Sequence, residues 1–111
     1  MSWDIYLERP KCDHCGRDSE TVFERNYTHN MNGAIREAWG GKCWKDVDGK
    51  RAEDVLPSLR HAIAMLRNEP AAFKRYEPGN GWGSVEGVTK FLEDCARAME
   101  ESPGAIIRVS G

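Results

Sequence analysis

The sequence has little net charge and no long apolar run. Its 111 residues include 16 Lys and Arg against 18 Asp and Glu, a formal net charge of −2, and the basic residues form no dense cluster. This balance argues against nonspecific nucleic-acid binding, which needs a basic surface. No apolar stretch approaches the ~20 residues that a membrane-spanning helix requires. We therefore expect neither nucleic acid nor a membrane as a partner.

The sequence also lacks the features of a secreted protein. Its first residues, MSWDIYLERP, carry acidic groups where a signal peptide has basic ones, followed by no long apolar segment. We expect a cytoplasmic location, where the four cysteines would be thiols or metal ligands rather than disulfides. No internal repeat, low-complexity tract or linker interrupts the chain, so residues 1–111 are expected to form a single domain.

Periodicity predicts three strands and about three helices. SWDIYLER alternates apolar and polar residues, ETVFERNYTHN is a second extended run, and AIIRVSG closes the chain with another alternation. MNGAIREAWGG, AEDVLPSLRHAIAMLRNEP and VEGVTKFLEDCARAMEES show helical spacing, and Pro57 is expected in the first turn of the second of these. The predicted fold class is α+β: a small, mainly antiparallel sheet, built from an N-terminal hairpin plus the C-terminal strand, with helices on one face.

The CDHCGR stretch is half of a zinc-binding motif. Cys12 and Cys15 have the spacing of a zinc knuckle, and a structural zinc needs four ligands. No second CxxC or HxxxH pair follows, so His29 and Cys43 are the candidates to complete the site. We therefore expect zinc only if residues such as His29 and Cys43 complete the site. A plain pair of reduced thiols is the alternative, and a redox CxxC is less favoured because strands rather than a helix flank it.

Two stretches suggest a ligand pocket. In NYTHN, Asn26, Thr28 and Asn30 would share one face of a strand and form a polar row. Such a row is ordinary on a solvated face, but in a cleft it could read the donors and acceptors of a ligand.

The second stretch is PGNGWG, which contains Asn80, Gly81 and Trp82. Its glycines allow close backbone approach, Trp82 could stack on a flat group, and the following helix N-terminus could hold an anion. A loop packed down by a buried tryptophan is the alternative. No GKS or GKT follows, so the stretch is not a P-loop.

Several motifs in order along the chain resemble a family of small, uncharacterised proteins of tailed bacteriophages and actinobacterial genomes. They are WDIYLE, CxxCG, NYTHN, DVDGKRAED, NGWGSVEG and AIIRVS. The resemblance covers nearly the whole chain and implies a phage-type context, with the host cytosol as the location. It implies no biochemical activity.

These observations favour binding over catalysis. The expected function is a phage-type accessory protein that binds or sequesters a small, nucleotide-like molecule and so acts on host physiology or defence. The first alternative is an interaction module that inhibits a host protein by presenting a helix face or Trp44, with or without a structural zinc. The second alternative is a small nucleotide-processing enzyme, although no nucleophile–base set or carboxylate pair is recognisable in the sequence.

Overall fold

The alternating N-terminal segment forms the central strand of a three-stranded antiparallel sheet. In the computed structural model, which describes residues 2–10, 19–79 and 83–110, β1 (Ser2–Pro10) pairs with β2 (Ser19–Thr28) and with β3 (Ile106–Ser110). The sheet order is β2-β1-β3, which confirms the predicted hairpin and C-terminal strand. The connection that holds Cys12 and Cys15 lies outside the described residues.

One face of this sheet packs against the helices and the other is polar. The core-facing side chains of β1 are Trp3, Ile5 and Leu7, each at most 5% exposed. The strand register places Tyr27 directly opposite Trp3, so Tyr27 shares the helix-covered face. Asp4 and Asn26 lie opposite each other on the uncovered face.

Two long helices supply most of the layer above the sheet. They are α3 (Ala52–Asn68) and α5 (Val85–Glu101), and each buries one apolar stripe as predicted. The α5 stripe contains Val85, Val88, Leu92, Cys95 and Met99, all buried. Ion pairs between Arg60 and Glu100 and between Arg67 and Glu93 cross from one helix to the other. These pairs are exposed and contribute little, so burial of the two stripes holds the helices together.

The start of α3 is set by its contact with the segment before β3. The backbone N–H groups of Ala52 and Glu53 donate to the carbonyl oxygens of Ala105 and Pro103, at 2.8 and 2.9 Å. Helix-initial N–H groups have no partner within the helix, and here the neighbouring turn provides one. The helix therefore begins at Ala52, and Pro57 lies inside it rather than in its first turn.

Three shorter helices complete the structure. They are α1 (Asn32–Ala38), α2 (Trp44–Val47) and α4 (Pro70–Phe73), and 3-10 turns occur at His29–Met31 and Lys74–Tyr76. The single-turn helices α2 and α4 were not expected from periodicity. They insert Trp44 and Phe73 fully into the core. Among the described residues, no helix has the length and apolar character needed to cross a bilayer.

Candidate functional site

The NYTHN stretch contacts the first turn of α5 at Ser84, the residue that follows PGNGWG. The phenol oxygen of Tyr27 accepts a hydrogen bond from the Ser84 N–H at 3.3 Å and donates one to the Ser84 carbonyl at 3.4 Å. The Tyr27 ring also stacks on Phe91 with a centroid distance of 5.2 Å. Gly87 permits this approach, because a Cβ there would lie 2.7 Å from the Tyr27 Oη. The strand therefore contacts the N-terminus of α5 through Tyr27.

The first N–H groups of α5 are bonded within the chain. Ser84 is the N-cap, and its Oγ accepts from the Gly87 N–H at 2.9 Å. The Glu77 carboxylate accepts from the Val85 N–H at 2.8 Å and places a negative charge at the positive end of the helix dipole. An external anion would have to compete with Glu77, so this geometry does not favour the anion site suggested by the sequence.

The residues predicted to bind a ligand occupy several environments. Asn26 is on the uncovered sheet face, where its Nδ2 donates to the Asp4 Oδ1 at 2.7 Å. The strand ends at Thr28, and the exposed Asn30 lies in the following 3-10 turn. The predicted row on one strand face is therefore interrupted, because the chain turns inward to bury Met31 completely. Three further predicted residues lie outside the described part of the chain: Asn80, Gly81 and Trp82.

A second tyrosine braces the segment that leads to this loop. Tyr76 packs against Gly33 of α1, where a Cβ would lie 2.7 Å from two ring carbons. Its hydroxyl donates to the Glu37 carboxylate at 3.2 Å and accepts from the Arg75 guanidinium at 3.2 Å. Arg75 also forms an ion pair with Glu37. The hydrogen bond with Tyr76, and then the charge of Glu37, raise the pKa of Arg75 above its ordinary value. The brace thus fixes Glu37 at the end of α1.

Glu37 also forms one end of a groove between α1 and α3. The groove has a volume of about 400 Å³, and its lining residues are Glu37, Ala38, Trp39, Gly40, Ser58, His61 and Met65. Met65 is 36% exposed, the most exposed large hydrophobic side chain in the described part of the chain. A single exposed apolar side chain is ordinary on a protein surface, so the volume and mostly apolar lining of the groove are what make it a candidate binding surface.

Two of the polar side chains in this groove already form hydrogen bonds within the protein. The Trp39 indole N–H donates to the Ser58 Oγ at 2.9 Å, and Ser58 in turn donates to the Val55 carbonyl at 2.9 Å. This chain of bonds fixes the Trp39 ring as a wall. His61 is exposed and lines the groove, and its ring nitrogens can donate or accept a hydrogen bond. The arrangement suits a mostly apolar ligand with one polar atom.

Another groove of about 400 Å³ lies between α3 and α5, but its character is different. Five of its lining residues are charged: Arg60, Arg67, Glu93, Arg97 and Glu100. Two of these arginines already form ion pairs with the two glutamates. This surface is best described as a solvated ion-pair network and is a weaker candidate for ligand binding.

The proposed zinc ligands cannot be assembled from the described residues alone. Cys43 is a buried free thiol at the N-cap of α2, and Cys12 and Cys15 lie outside the described residues. His29 follows Thr28 at the opposite end of β2 from Ser19, roughly 30 Å away along a ten-residue strand. Within the described ranges, no group of three or more His, Cys, Asp or Glu side chains is placed to hold a metal ion. Zinc bound by all four residues stays a prediction, and the mass of the native protein would test it.

Two other features in the described structure bear on the sequence hypotheses. Trp44 is completely buried, with its ring in edge contact with Trp39 and Phe91, so it cannot be presented to a partner protein. Burial in the α5 stripe, with a further contribution from Asp94, strongly raises the pKa of Cys95. Cys95 is therefore an inert core thiol.

Sequence reasoning missed the α1–α3 groove, although a signal was present. Ser58, His61 and Met65 have the i, i+3, i+7 spacing of one helix face, separate from the buried stripe of α3. A methionine on a second face is the feature that could have indicated a binding surface.

Comparison with known proteins finds no matching family model, no matching curated protein and no matching solved structure.

Proposed function

We propose that this protein binds a small, flat molecule in the α1–α3 groove and acts by sequestering it. This proposal keeps the binding function suggested by the sequence and moves its site from the polar row to the groove. In the phage-type setting that the motifs resemble, such a protein would act as an accessory factor in the host cytosol.

The observation that carries the proposal is the combination of groove size and lining. Sites for small molecules have volumes of roughly 300–1,000 Å³ and are mostly apolar, with a few polar groups that fix orientation. The groove, at about 400 Å³, falls in this range and combines Ala38, Trp39 and Met65 with the imidazole of His61. A single heteroaromatic ring fits this description.

The charge of the groove narrows the class of ligand. Its described lining includes neither lysine nor arginine, and its one carboxylate, Glu37, is already paired with Arg75. A phosphate group needs positive charge or several free N–H donors. The groove therefore favours a neutral heteroaromatic molecule, such as a free base, over a nucleotide bound through its phosphates.

A thermal-shift screen with heteroaromatic fragments, nucleobases and nucleotides tests this proposal. Met65→Lys places a charge in the groove and is expected to abolish the shift caused by any hit. Asn68→Lys is the matched control, because Asn68 is an exposed residue on the same helix and does not line the groove. If Met65→Lys still binds the ligand while Asn26→Ala and Trp82→Ala do not, the ligand binds instead at the site predicted from the sequence.

The exposure of Met65 also supports an interaction module as the second candidate function. An exposed methionine on an apolar wall is a common anchor for a partner helix. Native mass spectrometry of the protein purified from its own host would separate the two functions. A retained small molecule supports sequestration, whereas a stoichiometric partner protein that Met65→Lys releases supports the module.

A further inference from the structure

Met65 differs sharply from the other described methionines in its access to solvent. It is 36% exposed, whereas Met31 and Met99 are 0% exposed in the core. Oxidation of a thioether requires an oxidant to reach the sulfur, so exposure decides which methionine reacts first. Among the described methionines, the fold therefore directs oxidation to the one that lines the α1–α3 groove.

We propose that Met65 is a site of reversible oxidation by a peroxide and that its oxidation closes the groove to apolar ligands. A sulfur lone pair attacks one oxygen of the peroxide, the O–O bond breaks, and an S–O bond forms. Hydrogen peroxide leaves as water after proton transfer. The sulfur loses two electrons and the peroxide gains them. The oxidation depends only on the exposure of Met65, whereas its effect on ligand binding rests on the proposed function.

The surroundings of Met65 explain why the sulfoxide would oppose binding. The new oxygen is a strong hydrogen-bond acceptor, and it needs a donor once a ligand excludes water. The indole N–H of Trp39 is already bonded to Ser58, and Ala38 has no side-chain donor. The Ser58 hydroxyl already donates to Val55, so His61 is the remaining side-chain donor among the described lining residues, and the proposed ligand would use the same imidazole. We expect oxidation to weaken binding by about tenfold or more, the effect of leaving one buried polar group unmatched.

Graded hydrogen peroxide treatment of the folded full-length chain, followed by peptide mass spectrometry, tests the site. Met65 sulfoxide should form at least about ten times faster than the sulfoxides of the buried Met31 and Met99. Equal rates at the three positions in folded protein would overturn the assignment. Met65→Leu keeps an apolar side chain without an oxidisable sulfur and serves as the matched control.

Binding of the neutral dye Nile red tests the effect on the groove. Peroxide should weaken dye binding to the wild type but not to Met65→Leu, and methionine sulfoxide reductase with dithiothreitol should restore it. Unchanged dye binding after oxidation of Met65 would refute the proposal that this oxidation closes the groove. If neither the dye nor any heteroaromatic fragment of the thermal-shift screen binds the untreated protein at a site sensitive to Met65→Lys, the proposed function fails, while the order of oxidation is judged separately.

Discussion

Replacing Gly87 by alanine should reveal how closely Tyr27 approaches the first turn of α5. Alanine favours a helix interior over glycine by about 1 kcal/mol, so an unobstructed site would be stabilised. At this position, however, the new Cβ would lie 2.7 Å from the Tyr27 Oη and 3.0 Å from the Ser84 Oγ. Overpacking of this kind costs about 1–3 kcal/mol. We expect a net loss of about 0–2 kcal/mol.

A double-mutant cycle isolates the contribution of Tyr27. Tyr27→Phe removes the closest atom, and the next ring carbon lies at 3.5 Å, an ordinary contact distance. Phenylalanine alone should cost about 0.5–1.5 kcal/mol, because the bonds to Ser84 are lost. In this background Gly87→Ala should become neutral or stabilising by up to about 1 kcal/mol. The coupling energy is therefore expected to be positive and at most about 3 kcal/mol, because the contact with the Ser84 Oγ remains in the double mutant.

Urea denaturation monitored by circular dichroism provides the four unfolding free energies, with the m-value as a check on two-state behaviour. Gly104→Ala is a suitable control, because a Cβ there meets nothing within 4 Å, and its effect should stay within about 0.5 kcal/mol. If Gly87→Ala stabilises the wild type and Tyr27→Phe equally, Tyr27 does not contact this turn and the junction described above is wrong.

Three further substitutions test the fold. Glu77→Ala leaves the Val85 N–H without its carboxylate partner and should cost about 1 kcal/mol in urea denaturation; no loss would show that Glu77 does not cap α5. Leu92→Ala removes a completely buried side chain and should cost about 2–5 kcal/mol by the same measurement, whereas a loss below about 1 kcal/mol would contradict its central packing. The Cys43 N–H bond lowers the pKa of Asp46. Above the unfolded-state pKa of about 4, the lowered folded-state pKa stabilises the folded protein. This stabilisation is lost as the pH falls through the folded-state pKa. Asp46→Asn should therefore destabilise the protein at pH 7 and have less effect near pH 3, and an effect that does not change with pH would refute this linkage.

Local patterns in the sequence were sufficient to locate the main elements of the fold. The alternation of Trp3, Ile5 and Leu7 identified β1, and the stripe that includes Leu92 and Met99 identified α5. These patterns succeed because each element buries one face, and the spacing of that face is set by the geometry of the element itself.

Features that depend on distant partners could not be read in the same way. The position of Pro57 within α3 follows from bonds between the first turn of α3 and the segment near Ala105, about fifty residues away. Similarly, Asn26 could be assigned to an alternating face, but only the strand register shows that this face is the uncovered one. The groove is formed by side chains of two helices, so no single stretch of sequence contains it.

The central claim is that a small molecule binds between α1 and α3. The most direct test is a ¹⁵N-resolved NMR titration of the wild type with the heteroaromatic hit from the thermal-shift screen, because each of the four tryptophans contributes its own indole N–H signal. The Trp39 indole, which forms a wall of the groove and bonds to Ser58, should shift together with the backbone signals of His61 and Met65. A titration that moves the Trp82 indole and Asn30 while leaving Trp39 and Met65 unchanged would contradict the claim and favour the loop site.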